Sequence, residues 1–253
     1  MNTDITATTD TDLVEPTEIR WKTSPIDKHG AGLMLGTFVV MTAILTAVGF
    51  AIVEWWDGSA AGEADADLNR WFEERRTPAW NDAAEIVSNS GDSIAKILAG
   101  VLFIPLFLWL FRRWHEYALI VGGLVVEVCI FGLSSTLVGR ERPPVEQLDG
   151  APTDSFPSGH LAAAVVFYGG IALVFFMRTR RPGLRAVGVV FAAFGIVTAG
   201  LARLYQGMHY ITDEIASLVL STVVLAVMWK VVHRTLPPEE SPEAHDRAAV
   251  RSS

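Results

Sequence analysis

Long uncharged apolar blocks constrain this chain more than any other feature of its sequence. Residues 31–53 carry no charged side chain over 23 positions. Five further apolar blocks follow, at about residues 93–111, 117–139, 161–177, 186–202 and 211–232. A helix needs roughly 20 apolar residues to cross a bilayer, and the flanking turns of shorter blocks complete the span. We therefore expect an all-α integral membrane protein, built as a bundle of six transmembrane helices.

A polar segment, residues 58–92, separates the first two blocks. Its apolar residues are spaced loosely, at Leu68, Trp71, Phe72, Trp80, Ala84 and Ile86. We expect a short amphipathic outer segment of one or two helices along the membrane surface, broken at Pro78 because proline interrupts a helix. Its apolar face is expected to cover the bundle, and the alternative is that it binds a partner.

The two chain ends are polar, and we predict disordered cytoplasmic tails over residues 1–28 and 236–253 around one domain, 29–235. Lysine and arginine are more numerous beside the spans on the side of both tails. The positive-inside rule then places both termini in the cytoplasm and the loops 140–160 and 203–210 outside the plasma membrane. Acidic residues precede the first block, which disfavours a cleaved signal peptide.

Several classes of function are disfavoured by the composition. The single cysteine, Cys129, precludes an intrachain disulfide, and the sequence shows no Cys/His cluster for a metal. Nucleic-acid binding is not expected, because no basic face accompanies the aromatic residues. Glu127 lies near the middle of the third block, where a carboxylate is costly and normally faces the bundle interior or water. We expect a structural role for it.

Three polar clusters fall at the predicted outer ends of the spans, at residues 139–144, 155–160 and 203–213. The second cluster reads Ser-Phe-Pro-Ser-Gly-His and opens an apolar block. A Pro-Ser-Gly turn at a helix start leaves backbone N–H groups that bind anions. Gly159 lets a ligand approach the backbone, and His160 stands beside that ligand as a proton donor.

The third cluster contains a histidine and an aspartate four positions apart, His209 and Asp213. On a helix they share a face, so the carboxylate can fix the tautomer of the ring and leave its other nitrogen as a nucleophile or base. Arg142 and Arg203 offer planar charged forks suited to phosphate oxygens. Each residue alone has a structural alternative, such as a headgroup contact or a helix cap, but their joint occurrence favours a phosphate site.

The three clusters resemble the signature motifs of the type 2 phosphatidic acid phosphatase (PAP2) superfamily. That superfamily includes lipid phosphate phosphatases and shares its site with vanadium haloperoxidases. Its patterns are Lys-x6-Arg-Pro, Pro-Ser-Gly-His and Ser-Arg-x5-His-x3-Asp. This chain has, in the same order, Arg142-Pro143, Pro157-Ser158-Gly159-His160 and Arg203-x5-His209-x3-Asp213. The six-span layout resembles the membrane branch of the superfamily.

The resemblance implies a metal-independent phosphatase that needs no cofactor. By position, His209 attacks phosphorus and forms a phosphohistidine, Asp213 orients it, and His160 protonates the leaving oxygen. The groups that bind the phosphoryl oxygens are Arg142, Arg203, Ser158 and the backbone of Gly159. Such preorganised charge is usually the largest catalytic term.

Two positions depart from the family pattern. Ser135 stands where the family has lysine, and Ala202 stands where it has serine. Arg140 and Lys96 are accessory candidates for the missing cation. Lys96 lies about one turn inside the outer end of the second block, and snorkelling to the interface is its alternative role.

The expected substrate is a lipid phosphate dissolved in the membrane, either a polyprenyl diphosphate or a phosphatidic-acid-type glycerolipid. The sequence does not choose between the two. One alternative is a catalytically weakened lipid-phosphate-binding protein, and another is a lipid transporter or scaffold of the same fold. The missing lysine and serine favour these alternatives, whereas retention of His160, His209 and Asp213 favours the enzyme. Six spans disfavour a haloperoxidase, and the oligomeric state stays open.

Overall fold

The computed structural model describes residues 24–91, 114–150 and 154–236. Within these ranges there are seven helices and no strand, which confirms the all-α class. The helices are α1 (Lys28–Ala51), α2 (Ala60–Glu73), α3 (Pro78–Gly91), α4 (Trp114–Val138), α5 (Gly159–Arg178), α6 (Pro182–Tyr205) and α7 (Ile211–Thr235). A π-helical turn, Ile52–Trp56, continues α1, and another, Ala118–Gly122, lies within α4.

Five of these helices are long and apolar enough to cross a membrane, namely α1 with its π-helical turn and α4 to α7. They coincide with five of the six predicted blocks, so the apolar pattern located them correctly. The remaining predicted span, residues 93–111, lies outside the described residues together with Lys96 and nearly all of both predicted tails. The described residues therefore support five spans, and the sixth stays a prediction.

The central helix of the bundle is α5, which packs against α3, α4, α6 and α7. Small side chains fill its first half, and Ala162, Ala163 and Ala164 are completely buried. Small residues let neighbouring helices approach closely, which is how helices associate in a membrane. In contrast, α6 keeps a broad exposed apolar face that includes Val190 and Phe194. Such a face suits contact with lipid.

Both ends of the described chain lie at one end of the bundle. The hydroxyl of Thr235, the last residue of α7, donates to the carbonyl oxygen of Pro25 over 2.8 Å. At this same end an ion pair between Glu116 and Arg178 joins α4 to α5. The opposite end carries the loop residues 139–150, 154–158 and 206–210, and we call it the site end. Glu127, on α4 between the two ends, is fully buried, as predicted for a carboxylate that faces the bundle interior.

The segment between the first two predicted spans forms two helices, α2 and α3, and Pro78 begins the second one. The buried face of α2 differs from the predicted one, because it carries Asp65 and Asn69. By contrast Trp71 and Trp80 are 49% and 66% exposed. The inward face of α2 is polar because it hydrogen-bonds to the site end. The carboxylate of Asp65 accepts from the backbone N–H of Ile211 at 2.8 Å.

Candidate active site

The three polar clusters are in direct contact at the site end. Gly139 ends α4 in the left-handed conformation (φ 63°), which only glycine adopts without strain, and the chain then turns toward the second cluster. The N–H of Ser155 donates to the carbonyl oxygen of Arg140 over 2.9 Å, which joins the first cluster to the second. Nδ1 of His209 lies 2.6 Å from the carbonyl oxygen of Ser155, which joins the second cluster to the third.

His209 lies in the turn between α6 and α7 and is 3% exposed. Because a carbonyl oxygen only accepts hydrogen bonds, the contact with Ser155 assigns the ring proton to Nδ1 and leaves Nε2 with its lone pair. The Asp213 carboxylate is 3.8 Å from Nδ1. A backbone carbonyl therefore takes the direct bond that the spacing of His209 and Asp213 suggested for the carboxylate.

Burial lowers the pKa of His209, because a buried ring loses the hydration of its charged form. The neighbouring Asp213 opposes this effect, whereas the positive charges of Arg203 and Arg142 reinforce it. The net result is a pKa below the ordinary histidine value. The imidazole is therefore neutral at pH 7, which is the state a nucleophile requires.

Asp213 lies in the first turn of α7 and is fully buried. Its Oδ1 accepts from Nη1 of Arg140 over 2.5 Å. Its Oδ2 accepts from the hydroxyl of Ser155 over 2.5 Å and from the N–H of Tyr210 over 2.9 Å. The aspartate thus caps α7 and fixes the turn that carries His209.

The two arginines of the motifs lie close together. Arg203 is 1% exposed, and its Nη1 is 2.6 Å from Oγ of Ser88 and 2.7 Å from Oδ2 of Asp149. Nη1 of Arg142 donates to the carbonyl oxygen of Met208 over 2.5 Å. Burial lowers the pKa of Arg142, and the nearby charge of Arg203 lowers it further. Two like charges this close, with Arg203 buried and Arg142 half-buried, favour an anion between them.

In this structure the Asp149 carboxylate compensates part of that positive charge. Burial opposes its ionisation, but the hydrogen bond and the charge of Arg203 outweigh burial, and they lower the pKa of Asp149. The charge of His160 acts in the same direction, which places the His160 ring near this carboxylate. His160 itself is half-buried at the start of α5.

The second cluster forms the N-terminus of α5. Ser158 is the N-cap, and its hydroxyl accepts from the N–H of Leu161 over 3.4 Å. Pro157 directly precedes this cap. A Cβ added to Gly159 would lie 2.7 Å from the ring of Phe131 on α4, so glycine is required here by helix packing and not by ligand approach along that direction. The helix N-terminus still favours an anion.

The accessory positions differ in what surrounds them. Arg140 is 1% exposed and its guanidinium contacts the carboxylates of Asp57 and Asp213. Ser135 is 2% exposed, and its hydroxyl makes no hydrogen bond within the part of the chain that the structure describes. Ala202 is buried and lines a cavity next to Arg203. None of these three positions supplies a cation that faces Arg142 and Arg203 in place of the motif lysine.

That cavity has a volume of about 380 Å³ and lies between α2, α3 and α6. Its walls are mainly apolar and aromatic, and they include Trp71, Phe72, Trp80, Ala83, Leu201 and Tyr205. The phenolic oxygen of Tyr205 is 2.8 Å from Oδ1 of Asn81, and Arg76 on the α2–α3 connection donates to the backbone oxygen of Tyr205 over 3.1 Å. These bonds fix α3 against the end of α6. Two residues that line the cavity, Val87 and Ala202, directly precede Ser88 and Arg203 in the sequence.

Sequence reasoning missed several residues of this region, namely Asp57, Asp65, Ser88 and Asp149. No short motif marks them, because their partners lie 54 to 147 positions away along the chain. Among the described residues, no group of three or more His, Cys, Asp or Glu side chains is arranged to hold a metal ion.

Comparisons with known proteins agree with this geometry. The PAP2 superfamily profile matches residues 117–237, a range that contains all three clusters. No match to a curated protein sequence was found. The structure is similar to the crystal structure of a transmembrane PAP2-type phosphatidylglycerolphosphate phosphatase from Bacillus subtilis, with a TM-score of 0.59 and 20% identity over 78% of this chain and 93% of that one. At this identity the likeness supports the fold. Residues 117–237, which carry all three motifs, thus match the PAP2 superfamily.

Proposed function

We propose that this protein is a membrane phosphatase that hydrolyses the phosphate or diphosphate of a lipid through a phosphohistidine intermediate on His209. The observation that carries this proposal is the state of that ring. It is buried and neutral, its Nδ1 is bonded to a backbone carbonyl, and its Nε2 keeps a lone pair. Arg142 and Arg203, which affect the pKa of this ring through their charges, supply the positive field that a phosphoryl group requires.

In the proposed reaction, Nε2 of His209 attacks phosphorus while the bond from phosphorus to the leaving oxygen breaks. His160 donates a proton to that oxygen, so the dephosphorylated lipid leaves as a neutral alcohol or, from a diphosphate, as a monophosphate. Water then attacks the phosphohistidine with His160 as the base, which releases inorganic phosphate and restores His209. The charge on the transferred oxygens is stabilised by Arg142, Arg203, Ser158 and the backbone N–H of Gly159.

A lipid substrate is supported by the apolar cavity beside Arg203 and by the exposed apolar faces of the spans. The substrate classes under consideration are polyprenyl diphosphates and phosphatidic-acid-type glycerolipids. The structurally similar Bacillus subtilis protein is a phosphatidylglycerolphosphate phosphatase. We therefore include glycerolipid phosphates of that kind in the test panel. In this proposal the site end faces outward across the plasma membrane.

Phosphate release and enzyme labelling test the proposal together. In detergent, the purified protein is expected to release phosphate from a panel of lipid phosphates, with EDTA present, and vanadate is expected to block release. Single-turnover labelling with a ³²P-lipid should give a phosphoenzyme that disappears in His209→Ala. His233→Ala, at the exposed opposite end of α7, is the matched control. A requirement for added Mg²⁺ would contradict the metal-free mechanism. Labelling that survives His209→Ala would exclude His209 as the nucleophile.

A second candidate is a catalytically weakened protein that binds or transports lipid phosphates. It is favoured by Ser135 and Ala202 at motif positions and by the Asp149 carboxylate on Arg203. This candidate predicts that the wild type binds lipid phosphate without releasing phosphate. It also predicts that His209→Ala leaves binding or lipid movement intact.

A further inference from the structure

We infer that Arg140 is a positioning residue for the reaction proposed above, and that together with Asp57 it fixes Asp213 and Ser155 so that the His209 ring keeps its proton on Nδ1. The inference rests on the proposed function, and it gives Arg140 a role different from that of a replacement phosphate ligand. Arg140 touches no phosphate in this role and acts only through other side chains.

The contacts of the guanidinium account for all three of its nitrogen atoms. Nε donates to Asp57 over 3.1 Å, and Nη2 contacts the other oxygen of the same carboxylate. Nη1 donates to the hydroxyl of Thr212 over 2.8 Å and to Oδ1 of Asp213 over 2.5 Å. The ring of Tyr210 covers one face of the guanidinium at 4.0 Å. Protein groups therefore engage every nitrogen of this buried guanidinium.

Ser155 links this cluster to the proposed nucleophile through three separate bonds. Its N–H donates to the carbonyl oxygen of Arg140, its hydroxyl donates to Asp213, and its carbonyl oxygen accepts from Nδ1 of His209. A shift of Arg140 therefore displaces both the carboxylate and the carbonyl that hold the ring. Outer partners of this kind fix the tautomer and orientation of a functional histidine.

Asp57 completes the cluster from a distant part of the chain. It follows the π-helical turn at the end of α1 and pairs with Arg140 from 83 positions away. Asp65 of α2 adds a third carboxylate, 3.9 Å from Nη2 of Arg140. Burial favours the neutral form of Arg140, but its bonds to Asp57 and Asp213 outweigh burial and raise its pKa. The arginine thus remains charged between these acids.

The charged and titratable groups around His209 decide the sign of the effect. They are Arg203 on α6, Arg142, Arg140 and Asp149 in the loop after α4, Tyr210 before α7, Asp213 and Glu214 on α7, His160 on α5, Asp57 after α1, and Asp65 on α2. Removing the charge of Arg140 leaves Asp213 less compensated, which favours imidazolium and raises the pKa of His209. Removing the charge of Asp57 leaves the positive charge of Arg140 less compensated, which disfavours imidazolium and lowers the pKa of His209. Opposite shifts therefore follow from the two substitutions.

The test compares Arg140→Gln, Arg140→Lys and Asp57→Asn with the wild type, in phosphate release from a lipid phosphate across pH. Arg140→Gln should lower kcat about ten-fold or more, as loss of outer partners does at metal-bound histidines. KM should change little, because Arg142 and Arg203 remain. The acid limb of kcat/KM should move up by roughly half a pH unit in Arg140→Gln and down in Asp57→Asn. Arg140→Lys should return the midpoint of the acid limb to its wild-type pH. It should recover only part of kcat, since lysine lacks the planar fork of arginine.

A readout without substrate keeps the inference separate from the proposed function. Titration of ¹⁵N-histidine-labelled protein in detergent reports the His209 tautomer and pKa, with His209→Ala used to assign the signal. Arg70→Gln, an exposed arginine on α2, is the control, and elution on size exclusion verifies folding. Unshifted titrations in both Arg140→Gln and Asp57→Asn would overturn the inference, as would a raised KM with unchanged kcat. If the wild type releases no phosphate, the proposed function fails while the NMR titration still decides the inference.

Discussion

At the scale of the residue, Asp149 forms an ion pair with Arg203, whose guanidinium binds the phosphoryl group in the proposed reaction. Its carboxylate is 2.7 Å from Nη1 of Arg203 and 39% exposed, so it competes with any incoming anion. We predict that Asp149→Asn strengthens inhibition by vanadate about five-fold, which corresponds to about 1 kcal/mol for a partly exposed ion pair.

The measurement for Asp149→Asn is the vanadate concentration that halves phosphate release. Glu146→Gln, on the same loop and exposed, is the matched control and should leave this concentration unchanged. A weaker effect of vanadate in Asp149→Asn would mean that the carboxylate holds Arg203 in its productive position.

The protonation state of His209 sets a second expectation at this scale. Attack requires the neutral ring, and burial together with Arg203 and Arg142 lowers its pKa below the ordinary value. The neutral form is therefore already present below about pH 6.5, the value of an unperturbed histidine. We predict that kcat/KM rises with pH along an acid limb whose midpoint lies below that value. A midpoint above pH 6.5 in the wild type would contradict the assignment of this limb to His209.

At the scale of the element, α2 and α3 form one wall of the cavity beside the arginines. Ala83 of α3 lines this cavity, whereas Ala79 on the same helix is exposed and does not line it. Tryptophan at position 83 fills part of the 380 Å³ that we assign to the apolar chain of the substrate. We predict that Ala83→Trp raises KM for a long-chain lipid phosphate several-fold and leaves hydrolysis of a short, water-soluble phosphate ester unchanged.

Ala79→Trp is the matched control for the cavity and should resemble the wild type on both substrates. Equal losses on the long and short substrates in Ala83→Trp would instead point to a disturbed arginine cluster. The comparison therefore separates a cavity that holds the lipid chain from one that only supports α6.

The limits of sequence interpretation also appear at the level of elements. The spans could be predicted because bilayer thickness fixes the length of an apolar block, as for α1 and α7. The buried face of α2 could not be predicted in this way. The argument from periodicity assumes that the interior is apolar, whereas Asp65 of α2 faces a polar turn. The motif residues could be located from their spacing, but the function of Arg140 depends on Asp57, 83 positions earlier. No local pattern encodes that pairing.

At the scale of the whole molecule, both ends of the described chain lie opposite the site end, which makes the orientation testable. In a Cys129→Ser background, we predict that Glu146→Cys reacts with a membrane-impermeant maleimide in intact cells. Ser24→Cys, beside the end of α7, should react only after permeabilisation. Both positions are exposed on the protein surface. The reverse labelling pattern would overturn the proposal that the site end faces outward, although the fold would stand.

The cluster around Arg140 also has a consequence for biosynthesis. It joins Asp57, which follows the first span, to Asp213, which belongs to the last one. A chain that is still being inserted into the membrane therefore lacks part of the support for His209 until α7 has joined the bundle. On the proposed mechanism, the catalytic centre is therefore incomplete until α7 has joined the bundle, and we expect a product truncated before α7 to release no phosphate from the lipids around it.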